Sequence, residues 1–167
     1  MRTAIILATL TLGSPSLVAL AANPPSDALL GHWTFDRITH GQTLDSSLNG
    51  RHAKVVGVTA TEGPHGPALA FDGDGNFVNI GDLGEQEAVT VAFWAKGQDD
   101  GRRERFQGLV TSDTWGPGVF HITIAAQAPD IYLHLGGDAR GRLSGSRWKK
   151  GQWYHVAVTA DTLAATI

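Results

Sequence analysis

The strongest constraint on the fold is the alternation of apolar and polar residues along short stretches of the chain. In residues 88–96, an extended chain places Val89, Val91 and Phe93 on one side and Trp94 on the other. Shorter runs of this kind recur roughly every ten residues after residue 28, and no helical apolar period is sustained there. The pattern therefore predicts an all-β fold built from short antiparallel strands.

Turn residues separate the alternating runs. The chain contains 21 glycines and seven prolines, a composition typical of folds with many tight turns. We predict strands at residues 30–36, 53–58, 68–72, 77–80, 88–96, 108–113, 119–125, 131–135 and 153–159. Residues 73–76 (Gly-Asp-Gly-Asn) predict a hairpin turn between the strands on either side, because Gly and Asn tolerate positive φ. A further strand is expected to begin at residue 163.

The first 21 residues have the pattern of a secretory signal peptide. Arg2 supplies a positive charge, a mostly apolar stretch follows, and Ala-Leu-Ala at 19–21 ends the segment with small residues before the cleavage point. A transmembrane anchor is the alternative, but Pro15 interrupts the apolar stretch and no basic cluster follows it. We therefore expect an exported protein, either secreted or held in the periplasm or cell envelope, with a linker at residues 22–28.

The charge and the lack of cysteine exclude several functional classes. The formal net charge is -3 and 17% of the residues are charged, so the sequence predicts no nucleic-acid partner. No membrane span is expected in the mature chain. Because the chain has no cysteine, a disulfide framework and a thiolate metal site are both excluded. In an exported protein this suits a bacterial setting better than a eukaryotic secretory one.

Four motifs occur in a characteristic order along the chain. They are residues 31–36 (Gly-His-Trp-Thr-Phe-Asp), 45–50 (Asp-Ser-Ser-Leu-Asn-Gly), 68–73 (Ala-Leu-Ala-Phe-Asp-Gly) and 153–158 (Trp-Tyr-His-Val-Ala-Val). Together they resemble the laminin G-like branch of the concanavalin A-like lectin/glucanase superfamily. The resemblance covers one domain, residues 29–167, and implies a jelly-roll sandwich of two antiparallel sheets. Members of the family continue with further strands, so we expect this chain to lack the strands that close the sandwich.

The resemblance also raises the question of catalysis. Glycoside hydrolases of this superfamily place acidic residues at alternate positions of one strand, so that the carboxylates point in the same direction. These carboxylates act as the nucleophile and as the acid/base. Only Glu85 and Glu87 come near this spacing, and residues 88–94 contain no carboxylate. We therefore interpret Glu85 and Glu87 as part of a solvated turn and expect no enzymatic activity.

A calcium ion is the cofactor that the resemblance suggests. Related jelly rolls often hold calcium at the rim of a sheet, and Asp36, Asp45 and Asn49 lie in the segment that contributes oxygen ligands in several of them. Calcium takes six to eight oxygen ligands, so these three would need help from carbonyls and water. The alternative is that Asp45 and Asn49 cap turns through hydrogen bonds to the backbone.

Four residues form the candidate ligand face. Trp115 lies in a Gly/Pro loop, where an exposed indole is costly without a use. Tyr132 alternates with apolar neighbours and so points away from the core, while His121 and His134 lie on neighbouring predicted strands. Flat aromatic rings are suited to stacking on pyranose rings. The alternative is that Trp115 folds over the edge of the sheet for packing alone.

These observations predict an exported, non-catalytic recognition module, with glycan as the leading ligand class. Two alternatives stay open. One is a glucanase-type glycoside hydrolase of the same superfamily. The other is a purely structural or adhesion module within a larger secreted protein.

Overall fold

The computed structural model describes residues 28–97, 107–116, 119–124, 130–136, 138–143, 149–161 and 165–166. The strands in these residues are β1 (Ile38–Thr39), β2 (Gln42–Thr43), β3 (Ala53–Val56), β4 (Thr59–Glu62), β5 (Pro67–Ala70), β6 (Phe77–Asn79), β7 (Ala88–Lys96), β8 (Gln107–Thr111), β9 (Phe120–Ile124), β10 (Ile131–Leu135), β11 (Asp138–Leu143), β12 (Trp153–Asp161) and β13 (Ala165–Thr166). The described residues include no helix, as the alternating pattern predicted.

The described strands pair in antiparallel fashion throughout. One sheet has the order β1-β2-β3-β6, a second β11-β10-β9-β8, and a third β13-β12-β7, while β4 and β5 form a two-stranded ribbon. Strands distant in the chain, such as β7 and β12, are hydrogen-bonded neighbours, so long connections cross between layers as in a jelly roll. The fold is therefore an all-β jelly-roll sandwich, and the predicted fold class is confirmed.

The main core lies between the β7–β12 ladder and the sheet of β8, β9 and β10. Phe93 is only 1% exposed and lies within this cluster, and Val89 and Val91 pack against it from the same face of β7. The prediction that these three side chains face the inter-sheet core is therefore confirmed. The other fully or nearly buried members are Ala95, Val110, Ile122, Ile124, Ile131, Leu133, Val156, Val158 and Ala160.

The opposite face of the β7–β12 ladder covers a second core. Trp94 and Trp153 pack there against a buried cluster that contains Trp33 and Phe35. The remaining buried members are Ala53, Ala68, Leu69 and Val78. Because both faces of the ladder are covered, its strands carry apolar residues on both sides, unlike a sheet with one solvated face.

Two sequence predictions about strands are wrong. Residues 30–36 are not a strand, although Trp33 and Phe35 are both buried. The reason is visible at Phe35, where φ is 62°, a left-handed conformation that a β-strand cannot contain. Likewise, residues 73–76 do turn the chain, but β5 pairs with β4 and β6 pairs with β3, so the turn does not join a hairpin.

The turn at residues 73–76 is organised by Asn76 rather than by strand pairing. The buried Asn76 amide oxygen accepts hydrogen bonds from the backbone N–H of Asp72 at 2.8 Å and of Gly73 at 3.3 Å. Its amide nitrogen donates to the carbonyl of Gly57 at 2.9 Å. The side chain thereby ties this turn to the connection between β3 and β4.

The predicted targeting segment lies outside the described residues. This holds for the signal peptide at residues 1–21 and for all of the linker at 22–28 except its last residue. In the part of the chain that the structure describes, no helix has the length and apolar character needed to span a bilayer.

Replacing Gly31 by alanine is expected to destabilise the fold by about 1–3 kcal/mol, the usual cost of overpacking. A Cβ at Gly31 would lie only 2.3 Å from the nearest atom of the Trp33 ring. That ring is buried and its Nε1–H donates to the carbonyl of Arg51 at 2.7 Å, so it cannot move aside freely. Urea denaturation measures the loss. In a Trp33→Leu background the same substitution should cost less than about 0.5 kcal/mol, and equal costs in both backgrounds would contradict the prediction.

Candidate functional site

The pleat of β9 and β10 places three of the four ligand-face residues on the face of the sheet that points away from the main core. In β9, Phe120, Ile122 and Ile124 pack toward the core, so His121 points outward. In β10, Ile131, Leu133 and Leu135 pack toward the core, which turns Tyr132 and His134 outward. The register sets His121 directly opposite His134, so the two side chains are cross-strand neighbours.

Trp115 completes the candidate ligand face from the loop between β8 and β9. Its ring stacks on His121 with a centroid separation of 4.2 Å and an interplanar angle of 23°. The ring also meets His134 edge-on, at 5.3 Å and 85°. Tyr132 continues the row, with its ring 6.0 Å from that of His134 and nearly parallel to it. The structure therefore brings all four residues of the candidate ligand face together.

Hydrogen bonds hold the two histidines in place. The Nε2 atom of His121 lies 3.1 Å from the carbonyl oxygen of Thr114. A carbonyl can only accept, so this nitrogen carries the proton and donates it. The Nε2 atom of His134 lies 3.3 Å from the hydroxyl of Thr123. Sequence reasoning did not single out Thr114 or Thr123, although the alternation of β9 does place Thr123 on the same face as His121.

Both imidazoles favour the neutral form. Burial lowers the pKa of His121, and the hydrogen bond to Thr114 offsets this only in part. Burial also lowers the pKa of His134, and the nearby charge of a protonated His121 lowers it further. Since the ordinary pKa of histidine is about 6.5, both rings are uncharged at neutral pH.

The exposure of these side chains defines what the face can contact. Trp115 is 61% exposed while His121 beneath it is only 3% exposed, so the indole is the outermost part of the row. The arrangement offers a flat apolar ring flanked by neutral hydrogen-bonding groups. A ligand with apolar C–H faces and hydroxyl groups fits such a surface better than a strongly charged one.

Asp45 is held by a complete set of hydrogen bonds. Its Oδ1 accepts from the backbone N–H of His32 at 2.9 Å and of Ser47 at 2.8 Å. Its Oδ2 accepts from the Ser47 hydroxyl at 2.8 Å and from the backbone N–H of Arg51 at 3.0 Å. Burial alone raises the pKa of Asp45, but these hydrogen bonds together lower it to about 2.

The three candidate calcium ligands differ in their surroundings, and Asp45 is the one whose oxygens are engaged by hydrogen-bond donors. Two donors on each Asp45 oxygen fill its in-plane acceptor positions. The Asn49 amide nitrogen donates to the carbonyl of Leu29, while Asp36 is exposed. Nor do the described residues contain a group of three or more His, Asp or Glu side chains placed to hold a metal. The geometry favours the turn-capping alternative, and calcium binding stays a prediction.

A second cluster of rings lies on the other face of the β7–β12 ladder. The ring of Trp94 meets that of His65 edge-on at 4.9 Å and that of His155 at 5.2 Å. The Nζ of Lys96 lies 4.8 Å from the ring centre of Trp153. Because Trp94 and Trp153 are part of the second core, we assign these contacts to packing. Glu85 and Glu87 are exposed and precede β7 in the chain.

Comparisons with known proteins identify the family. The family model for a laminin G-like domain of the concanavalin A-like lectin/glucanases superfamily matches residues 71–167, which is more than half of the chain. Searches of curated proteins and of solved structures found no match. The match covers β6 to β13 and so includes every strand that carries or supports the candidate ligand face. The chain therefore belongs to the laminin G-like branch of the concanavalin A-like lectin/glucanase superfamily, a group of carbohydrate-binding or structural modules in general.

Proposed function

We propose that this protein is an exported, non-catalytic module that binds glycans through the candidate ligand face. The observation that carries the proposal is the position of Trp115, which is largely exposed yet stacked on a buried histidine. An indole placed only for packing gains little from such exposure, whereas a ring held flat on a rigid support is prepared to stack on a sugar.

The rest of the ligand face supplies the polar contacts that a sugar requires. Tyr132 and His134 lie beside the indole in one row. Hydroxyl and imidazole groups can donate to and accept from sugar hydroxyls. These residues stand on paired strands of the sandwich, and sites on such elements are held more precisely than sites on loops.

Two further parts of the proposal rest on the sequence. Export is supported by the signal-peptide pattern of residues 1–21. The absence of catalysis is supported by the lack of carboxylates at alternate positions of β7, the strand that follows Glu85 and Glu87.

Replacing Trp115 by alanine is expected to weaken glycan binding by about 30-fold, corresponding to loss of about 2 kcal/mol from a central aromatic contact. A glycan array with the unmodified protein first identifies a ligand, and isothermal titration with that ligand then compares the variants. Trp115→Phe should retain part of the affinity, because a smaller ring can still stack.

Leu48→Ala is the matched control, since Leu48 is also an exposed apolar residue but lies in the turn that follows β2. Its binding should equal that of the unmodified protein. If Trp115→Ala and the unmodified protein bind the glycan equally well, glycan binding through the candidate ligand face is contradicted. No binding to any glycan at high protein concentration would support the structural alternative.

The hydrolase alternative is tested separately with β-glucans and galactans. We expect no release of reducing sugar beyond that of buffer. Turnover that is abolished by Glu85→Gln or Glu87→Gln would overturn the non-catalytic part of the proposal, because it would assign those carboxylates to the reaction.

A further inference from the structure

We propose that acid switches off ligand binding at this face, because protonation of the cross-strand pair His121 and His134 removes the support on which Trp115 rests. The inference deepens the proposed function and depends on it for the identity of the ligand. It concerns only the regulation of the same face, and it makes a prediction for the ligand-free protein as well.

His121 is the residue that positions Trp115. Its ring lies directly under the indole, and its Nε2–H donates to the carbonyl of Thr114, the residue just before Trp115. One buried imidazole thus contacts both the ring and the backbone of the loop. A change in the position of His121 therefore moves the indole with it.

The two histidines cannot take up protons without cost. They are directly opposite in the register, and each already has one nitrogen in a hydrogen bond to a neutral partner. Protonation of His121 adds a charge and a second N–H at a position shielded from water. Protonation of His134 then places a like charge beside it, which the lowered pKa of His134 already reflects.

The sign of the effect follows from the two lowered pKa values. The pKa of each histidine is lower in the assembled face than in water. The neutral form of each histidine therefore stabilises the assembled face, and the protonated form destabilises it. The contribution is present above about pH 6.5 and is lost as the pH falls below the pKa of the pair. The attraction between an imidazolium and an indole opposes this, but it is weak where the indole is largely exposed, as Trp115 is.

Acidic and basic residues lie on the elements around the pair. The loop that carries Trp115 contains Asp113, and the buried Asp130 comes immediately before β10. On β9 and β10 the polar neighbours are Thr123 and Tyr132. In the backbone register of β11, Ala139 lies opposite His134 and Arg142 lies opposite Tyr132. For both histidines burial is nevertheless the first cause of the lowered pKa.

Below the pKa of the pair, each proton that must be released before the ligand binds is expected to lower the affinity about tenfold per pH unit. The test measures the dissociation constant for the array-identified glycan at several values between about pH 7.5 and about pH 5, a range that histidine titration dominates. The readout is the slope of log Kd against pH rather than the affinity at one pH.

His134→Gln is the informative variant, because it removes one titrating group and leaves an amide that can still contact Thr123. Its slope should be clearly smaller than that of the unmodified protein, whatever its affinity at neutral pH. His155→Gln is the matched control, since His155 is an exposed histidine on β12 outside the ligand face. It should keep the full slope, and a flat profile in the unmodified protein would overturn the inference.

The ligand-free protein separates this inference from the proposed function. The indole N–H resonance of Trp115, assigned with Trp115→Phe, should shift over the same pH range in the unmodified protein and shift less in His134→Gln. If no glycan binds but the resonance shifts in this way, the proposed function fails while the coupling of the pair to Trp115 stands. If a glycan binds and the resonance does not shift, the proposed function stands and the acid switch is wrong.

Discussion

Replacing Phe93 by alanine should lower the free energy of unfolding by about 3–5 kcal/mol, a large share of the roughly 5–15 kcal/mol that typically stabilises a domain. The ring is almost fully buried between the β7–β12 ladder and the sheet of β8, β9 and β10. The substitution removes its apolar contacts and leaves a cavity that strands locked in register cannot collapse to fill. Urea denaturation followed by tryptophan fluorescence gives the difference directly.

Leu48→Ala again serves as the control for Phe93. Leu48 is 95% exposed, so its truncation should change stability by less than about 0.5 kcal/mol. Similar stabilities for the two variants would contradict the position of the core. An unchanged m-value in Phe93→Ala would show that the variant still folds to an equally compact state.

Asp45→Ala is expected to cost about 3 kcal/mol, because it leaves three backbone N–H groups and one hydroxyl without their acceptor. Water can reach part of this turn, which keeps the loss below the sum of four fully buried hydrogen bonds. Thermal melts should show the same loss in calcium and in chelator, since the carboxylate is held by donors. Asp36→Ala, at the exposed candidate ligand, should have little effect in either buffer.

The opposite pattern would identify a cation at this turn. If the unmodified protein melts at a lower temperature in chelator and Asp45→Ala removes the difference, calcium stabilises the fold by mass action. At a calcium concentration one hundred times Kd, that stabilisation amounts to about 2.7 kcal/mol. If Asp36→Ala also removes the difference in melting temperature between calcium and chelator, this would support the predicted set of ligands.

Asp45 also predicts how the fold responds to strong acid. The pKa of Asp45 is lowered to about 2 in the folded protein. The ionised carboxylate therefore stabilises the fold above about pH 4, and this stabilisation is lost as the pH falls toward 2. The shift corresponds to about 2 kcal/mol. Asp45→Ala should lack this part of the acid dependence, which denaturation at several pH values will measure.

Sequence reasoning predicted best where a strand carries a long and regular alternation of residues. The bounds of β7 and β10 agree with the predicted runs, because their alternation is long enough to distinguish a strand from other structure. It failed for β4 (Thr59–Glu62), whose four residues are all exposed, and for β11, whose charged residues carry no apolar alternation. Such strands are fixed by pairing with a neighbour, and local sequence does not contain that information.

The errors at residues 30–36 and 73–76 have different physical origins. Trp33 and Phe35 are two positions apart and both are buried, which matches the period of a strand. The backbone nevertheless has a positive φ at Phe35, which a strand does not allow. At residues 73–76 the glycines do predict a turn. A turn signal, however, says nothing about whether the strands beside it pair with each other or with strands elsewhere.

The candidate site was predictable to the extent that it depends on the pleat. The side on which His121, Tyr132 and His134 lie follows from alternation with their apolar neighbours. The stacking of Trp115 on His121 depends on a loop conformation that no local pattern specifies. For Asp45, the sequence left two roles open, turn capping and calcium binding, and the four donors around the carboxylate support turn capping.

The pairing of β7 with β12 has a consequence for how the chain reaches this fold. Lys96 pairs with Trp153 and Ala88 with Asp161, so the ladder joins segments about sixty or more residues apart. Loop-closure entropy is lost before such distant contacts form, and we expect slow folding, in the range of milliseconds to seconds. During synthesis, β7 has apolar side chains on both faces and stays unpaired with β12 until β12 has emerged. We therefore expect a chaperone that shields β7 to raise the yield of folded protein.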